Sequence, residues 1–378
     1  TMPAPQAVAT RPATQPASRP ALSETSAAFT PGYNDVVAVV TKPVIASQPT
    51  TRQAAGAGPS QASMSADLPT PKLALTDLAK VDASVATAPL LRLLAMKLNN
   101  IPYQRFVGYG AIDFVPDLPE GTQPDKITTD ILSREPAAPE AAIARLIGGE
   151  ITMAFATRAP SPAELESAAK SGVRLRADVI ATEALVFTLN NDNPVRNMPT
   201  AKLRQIFSAK AAKWSDLQLD TVPLNSDLAG KPLTVAYRAR GLGAEELTRQ
   251  LLLGGEAMPE LPVSKALSTT KLVMDATKED PETIGFSGFC YVTNMQRDGK
   301  VRLLAVDGVL PEPARVASGE YPLTTPLYVL SRGDLPAKSD LANLRGWLAS
   351  MPGQRALAEA GYMPVAAEAW SQQRLRGE

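Results

Sequence analysis

The chain contains no histidine, which removes the imidazole that Ser-His-Asp and Cys-His nucleophile activation and His-bearing zinc sites require. What remains is a set of residues suited to holding an anion. Arg238 leads into a glycine-bearing turn, Tyr237-Arg-Ala-Arg-Gly-Leu-Gly-Ala-Glu245, where Gly241, Gly243 and Ala244 let backbone N–H groups approach a ligand closely. A second junction of small residues, Ala83 to Ala88, carries Ser84, Ala86 and Thr87, and a third, Gly108 to Ala111, carries Tyr109. Thr157 and Arg158 follow the apolar run Ile151 to Ala156. No base is paired with a nucleophile and no metal-ligand cluster is visible, so the chain reads as a binder, not an enzyme, and needs no cofactor.

Each of these residues has a plainer use. Arg238 equally suits a structural ion pair, while Arg158 and Arg240 suit solvated surface charges. The ring of Tyr109 would plug a pocket as readily as its phenol would donate to a ligand. The single cysteine, Cys290, lies in the apolar, extended-looking run Phe286 to Val292 and reads as a buried, inert thiol.

Elements of alternating type must position these junctions. Pro89 and Pro139 open helices carrying leucine and isoleucine at helical spacing, and Gly148-Gly149 stops the second. Ile151–Ala156, Ala184–Leu189, Leu233–Ala236 and Leu327–Leu330 are short apolar runs of strand character. Trp214 and Trp347 fall on apolar helical faces and belong to the core. Strands alternating with helices predict an α/β protein with mainly parallel sheets, and 378 residues supply two lobes. Residues 1–72, rich in Pro, Ala, Ser and Thr, lack the apolar content to offset ordering entropy and predict an unstructured tether. The last ten residues, 369–378, form a second tail.

Formal net charge is zero and the sequence pI is about 6.4, so neither a nucleic-acid footprint nor a polybasic membrane patch is present. No apolar run approaches the roughly 18 residues of a transmembrane helix. The first residue is Thr, which fits either a leader already removed or a chain trimmed at its start.

The run Ala181 to Val195, followed by Lys202 to Ser208 and Lys213-Trp-Ser-Asp-Leu217, resembles the middle of the PstS-like phosphate-binding proteins of ABC importers. Ile284-Gly-Phe-Ser-Gly288, Ser318 to Leu323 and Ala360-Gly-Tyr-Met-Pro364 continue the resemblance in the same order, over about 75 to 368. It implies a type II periplasmic-binding-protein fold, a Venus flytrap. Lobe 1 would span 73–183, lobe 2 would span 184–320, and the chain would return to lobe 1 over 321–368. Phosphate or a related anion would sit in the cleft at helix N-termini, an ABC-transporter permease or another envelope protein would be the partner, and the location would be extracytoplasmic, periplasmic or secreted.

The site departs from that pattern. Positions where the family carries ligand hydroxyls are Ala86, Leu242 and Ala244 here, and a serine is replaced by Tyr109. Arg158 stands where the family places the carboxylate that accepts a phosphate proton. Each lost hydrogen bond to a charged ligand costs on the order of 1.5–3 kcal/mol, so three together weaken phosphate by several decades. Arg158, Arg238 and Arg240 return positive charge. Ile112 to Ala138 reads as an insertion beside the cleft. Two readings stay open: a receptor for an oxyanion or phosphorylated small molecule, and a flytrap whose pocket has decayed into an interaction module.

Overall fold

Pro89, Pro139 and Pro162 each stand in the first turn of a helix, where a missing N–H removes no helical hydrogen bond. Between these helices run short strands buried on both faces, such as Met153–Ala156. The computed structural model describes residues 70–108, 111–119, 122, 130–131, 136–238, 243–267, 270–292 and 299–365, with the backbone alone at 105–108, 111–113 and 238. All of these lie in one compact unit, Lys42–Glu378. The tether expected over 1–72, apart from its last three residues, and the tail at 369–378 lie outside the described residues.

The first stretch comprises α1 (Leu75–Leu78), β1 (Val81–Ala83), α2 (Ala88–Leu98), β2 (Tyr103–Gly108), β3 (Ala111–Pro116), α3 (Pro139–Gly148), β4 (Met153–Ala156), α4 (Pro162–Lys170) and β5 (Leu175–Asn190). Then follow β6 (Asn197–Met198), α5 (Thr200–Phe207), β7 (Thr234–Arg238), α6 (Gly243–Leu251), β8 (Ser264–Leu267), α7 (Thr270–Glu279), β9 (Thr283–Gly288), α8 (Phe289–Val292), β10 (Val301–Leu303), β11 (Ala305–Val306) and α9 (Pro313–Ala317). The last elements are β12 (Thr324–Arg332), α10 (Asp340–Leu348), α11 (Met351–Glu359) and β13 (Met363–Pro364).

The main sheet runs β1-β4-β12-β5-β9-β7-β8, with β10 and β13 also on β5. It is parallel at its flanks, β1 with β4 and β7 with both β8 and β9. Its middle is antiparallel, because β12 runs back along both β4 and β5. The 16-residue β5 is the shared element: Leu175–Ala184 pairs with β12 and Leu185–Leu189 with β9.

Two main cores meet along β5. One gathers Leu90, Leu93, Phe155, Ala181, Leu327, Trp347 and Tyr362, the other Ala184, Phe187, Phe207, Trp214, Phe286 and Tyr321. Phe207 meets Phe286 edge-on at 4.8 Å. Both tryptophans predicted for the core are buried.

The structure departs from the sequence reading after β9. Phe289–Val292, expected to be extended, is a helical turn: the Glu183 carboxyl accepts the N–H groups of Ala184 and Cys290 at 2.8 and 3.2 Å, which gives a first-turn N–H of the helix a partner. At the start of the insertion that follows Gly108, β3 pairs with β2, and Phe114 is buried with its ring edge-on to Tyr103.

Candidate functional site

Two strand-to-helix junctions of the first core lie side by side. Ser84, just after β1, donates its N–H to the Phe155 carbonyl of β4 at 2.8 Å. The Thr87 hydroxyl lies 2.9 Å from the Phe155 carbonyl and 3.1 Å from that of Ser84, so it stitches the turn together. The Tyr362 phenol donates to the Ala86 carbonyl at 2.7 Å, fixing the same turn from β13's side. Thr157, just after β4, is fully buried, as are Ser84 and Thr87.

What these junctions face is a helix of the second core. The Ser84 hydroxyl donates to Glu246 Oε1 at 3.1 Å, and the Thr157 hydroxyl donates to the same oxygen. The Ala86 backbone N–H also favours the charged carboxylate. Glu246 is only 8% exposed, and its Oε2 has no hydrogen-bond partner among the described residues. Burial raises its pKa, against the pull of the Thr157, Ser84 and Ala86 donors, and Glu140 adds a small push upward.

The rest of the α6 face continues the contact. Gly243 packs so tightly on Ala86 that an added Cβ would lie 2.7 Å from the Ala86 Cα. Gln250 Nε2 donates to the Thr157 carbonyl at 3.1 Å and to the Thr325 hydroxyl at 2.9 Å, and Arg249 pairs with Glu140 at 2.8 Å. Positions 243, 246, 249 and 250 share one side of a helix.

The predicted site residues therefore separate. Ser84, Ala86, Thr157 and Gly243 come together, with Thr87 supporting the turn. Ala244 starts α6 and takes the Thr248 hydroxyl on its carbonyl at 2.8 Å. Arg158 is committed elsewhere: it grips Glu164 with two bonds of 2.7 and 2.8 Å and reaches Glu140 at 3.2 Å. Glu164 is itself the N3 residue of the capping box that Ser161 opens on α4, and its bonds to Arg158 hold the guanidinium's pKa above its ordinary value. Arg238 ends β7, with its side chain outside the described atoms; Tyr109, Arg240, Gly241 and Leu242 lie outside the described residues.

Sequence reasoning missed Glu246. An acidic residue in the first turn of a helix is an ordinary partner for the helix dipole, and that reading concealed it. The usable signal was its spacing, three residues beyond Gly243 on the face that a close-packed glycine turns toward a neighbour. Among the described residues no group of His, Cys, Asp and Glu is placed to hold a metal ion, and no helix is long and apolar enough to cross a membrane.

The sequence profile of the PBP superfamily domain matches residues 122–348, more than half of the chain. The chain belongs to the PBP superfamily. Among curated relatives of this superfamily member, protein SphX of Synechococcus elongatus is 26% identical over 238 residues, covering 60% of this chain and 67% of that protein. The phosphate-binding protein PstS of Bacillus subtilis is 27% identical over 202 residues, covering 52% of this chain and 61% of its own. The matches thus span about three fifths to two thirds of those relatives' length. A possible phosphate-binding protein from Planctomyces limnophilus shares the fold with a TM-score of 0.55 at 16% identity, covering 79% of this chain and 96% of its own. An ABC-type phosphate transport receptor from Vibrio cholerae does so with a TM-score of 0.55 at 17% identity, covering 75% and 98%.

Proposed function

We propose that this PBP superfamily member is an extracytoplasmic substrate-binding receptor that takes an oxyanion, phosphate or a phosphorylated small molecule, between its two cores and presents it to an ABC importer. One observation carries the reading: the Ser84 and Thr157 hydroxyls, from two adjacent junctions of one core, converge on a single buried carboxyl oxygen, with the Ala86 N–H favouring the charged form of the same group. That donor set in a water-poor setting is what an oxyanion needs, since charge-assisted hydrogen bonds replace its lost hydration. Relatives named as phosphate-binding proteins make phosphate the first ligand to test. The two cores joined through β5 would be the two lobes, and Arg238 at the end of β7 would supply the guanidinium. The arrangement binds and positions; nothing in it assigns a nucleophile or a base.

The second reading, an interaction module with a decayed pocket, is favoured by the oxygen being the protein's own. Thermal-shift and calorimetric titration with phosphate, sulfate and small phosphate esters separates the two. A receptor gains about 2.7 kcal/mol of stability at a hundredfold excess of ligand over Kd. Ser84→Ala and Thr157→Ala should each weaken that ligand by roughly 10–100-fold, the equivalent of about 1.5–3 kcal/mol. No response to any anion, in the parent and in Glu246→Ala alike, would leave the interaction module.

A further inference from the structure

We infer that Glu246 is a built-in ligand: its carboxylate occupies the oxyanion site of the opposite core, holds the cleft shut without solute, and must be displaced for an anion to enter. The identity of that site rests on the receptor reading above; the closing of the cleft by Glu246 does not, and has its own readout.

Three observations carry the inference. First, the contact is between cores and far apart in sequence, 162 residues from Ser84 and 89 from Thr157. Ser84 and Thr157 belong to junctions of the first core, whereas α6 packs Leu247 into the second. Second, the contact is one of a row along α6. Gly243 against Ala86, Glu246 on the two hydroxyls, Arg249 on Glu140, and Gln250 on Thr157 and Thr325 all reach the first core from one helix face. A helix docked along its length moves as a unit, so removing its central contact bears on the whole closure. Third, Glu246 is more than nine-tenths buried, and among the described residues its Oε2 has no hydrogen-bond partner. A carboxylate taken out of water with half its acceptors unspent is a poor permanent tenant, because burial of a charge is recovered only through complete pairing.

Displacement follows from charge. A second anion on the donors that already hold the Glu246 carboxylate meets like-charge repulsion and finds the same hydroxyls taken, so the two alternate. The tethered carboxylate also has a high effective concentration, and a free anion competes only with the fraction of molecules in which α6 has swung away. If that fraction is on the order of 1–10%, the apparent affinity falls by roughly 10–100-fold below that of the open site. Binding would then be coupled to exchange of one carboxylate for one anion on the same donors.

The test compares the full chain with Glu246→Ala and Glu246→Gln, in buffer free of phosphate and sulfate. Small-angle X-ray scattering reads closure, and calorimetry reads phosphate affinity. Glu246→Ala is expected to have a larger radius of gyration than the parent, to return to the parent's value on adding phosphate, and to bind phosphate at least tenfold more tightly. Glu246→Gln, which keeps size and an acceptor oxygen while losing the charge, should fall between them. It also decides the matter by the same criteria if circular dichroism shows the alanine variant unfolded. Parent and variants with one phosphate affinity and one radius of gyration would overturn the built-in ligand and leave the receptor reading standing. A variant that opens while no chain binds phosphate, sulfate or a phosphate ester would keep the closing role and remove the receptor. Neither opening nor binding would remove both.

Discussion

Gly243 and Ala86 are in backbone contact across the two cores: a methyl group on Gly243 would stand 2.7 Å from the Ala86 Cα and 2.9 Å from its Cβ. Distances under 3.0 Å to a backbone atom cannot be relieved by rotating a side chain, so one element has to move. Gly243→Ala is therefore expected to wedge the start of α6 away from the β1–α2 turn. The cost should be about 1–3 kcal/mol, typical of forcing an extra methyl into a packed contact. Thermal denaturation should show a lowered Tm, and small-angle scattering a larger radius of gyration. An unchanged Tm with unchanged dimensions would mean that α6 does not dock there in solution.

The two arginines first read as ligand candidates should behave differently. Arg158 is already spent on Glu164 and Glu140, and burial would raise the Glu164 pKa were it not for the bonds from Arg158 and Ser161 that lower it. Arg158→Ala should cost about 1 kcal/mol of stability, as for a partly exposed ion pair, and leave anion affinity within about threefold. Arg238→Ala is expected to reduce phosphate affinity by roughly 10–100-fold with little loss of stability. Calorimetry beside urea denaturation on both variants checks the pair. An equal loss of affinity in both would place Arg158 at the ligand after all.

The contrast shows where the sequence was legible. Helix starts at Pro89 and Pro139 and both core tryptophans follow from local chemistry and are as predicted, and the strand expected over Ile151–Ala156 runs from Met153 to Ala156. Ser84 and Thr157 were singled out by their place at strand-to-helix junctions, although a hydroxyl there serves as readily to tie down a turn, as that of Thr87 does. Glu246 was not, since its role depends on a neighbour 162 positions away and its local setting is that of any acidic first turn. Arg158 has a partner close at hand: Glu164, six residues on and part of the α4 capping box, takes two of its guanidinium bonds and competes with any ligand. The turn at Phe289–Val292 was hidden because its helix start is stabilised by Glu183, a residue of a different strand.

Tyr362 offers a third measurement. Its phenol is buried and donates to the Ala86 carbonyl at 2.7 Å, and burial pushes its pKa well above the ordinary tyrosine value. Tyr362→Phe keeps the ring in the first core but leaves the Ala86 carbonyl without that donor. A loss of about 1–3 kcal/mol is expected from the abandoned carbonyl. Because the same turn presents Ser84 and the Ala86 N–H, phosphate affinity should fall as well. Urea denaturation and calorimetry on the one variant test both effects, and an unaltered midpoint would show that the bond contributes nothing net.

Glu183 gives the protein a pH dependence of defined sign. Burial raises its carboxyl from 4.5 to about 7, against the opposing hydrogen bonds from Cys290 and from the Ala184 and Cys290 N–H groups. Between those two values the folded chain holds a proton at this position that the unfolded chain has released. Stability from this group is therefore complete below about pH 4.5 and is lost as pH rises through about 7. The swing is on the order of 3 kcal/mol. Glu246, also raised by burial, acts in the same direction, whereas Glu140 and Glu164, both lowered, act in the opposite one. The reading must accordingly be a difference between parent and Glu183→Gln, whose amide oxygen can still accept the Ala184 and Cys290 N–H groups without titrating. Urea midpoints at pH 5, 6, 7 and 8 should show the parent losing ground to the variant most steeply between pH 5 and 7 and levelling off above about 7. A constant difference from pH 5 to 8 would mean that Glu183 keeps one protonation state throughout, and the carboxyl would have to be reassigned as fully ionised beneath the α8 turn.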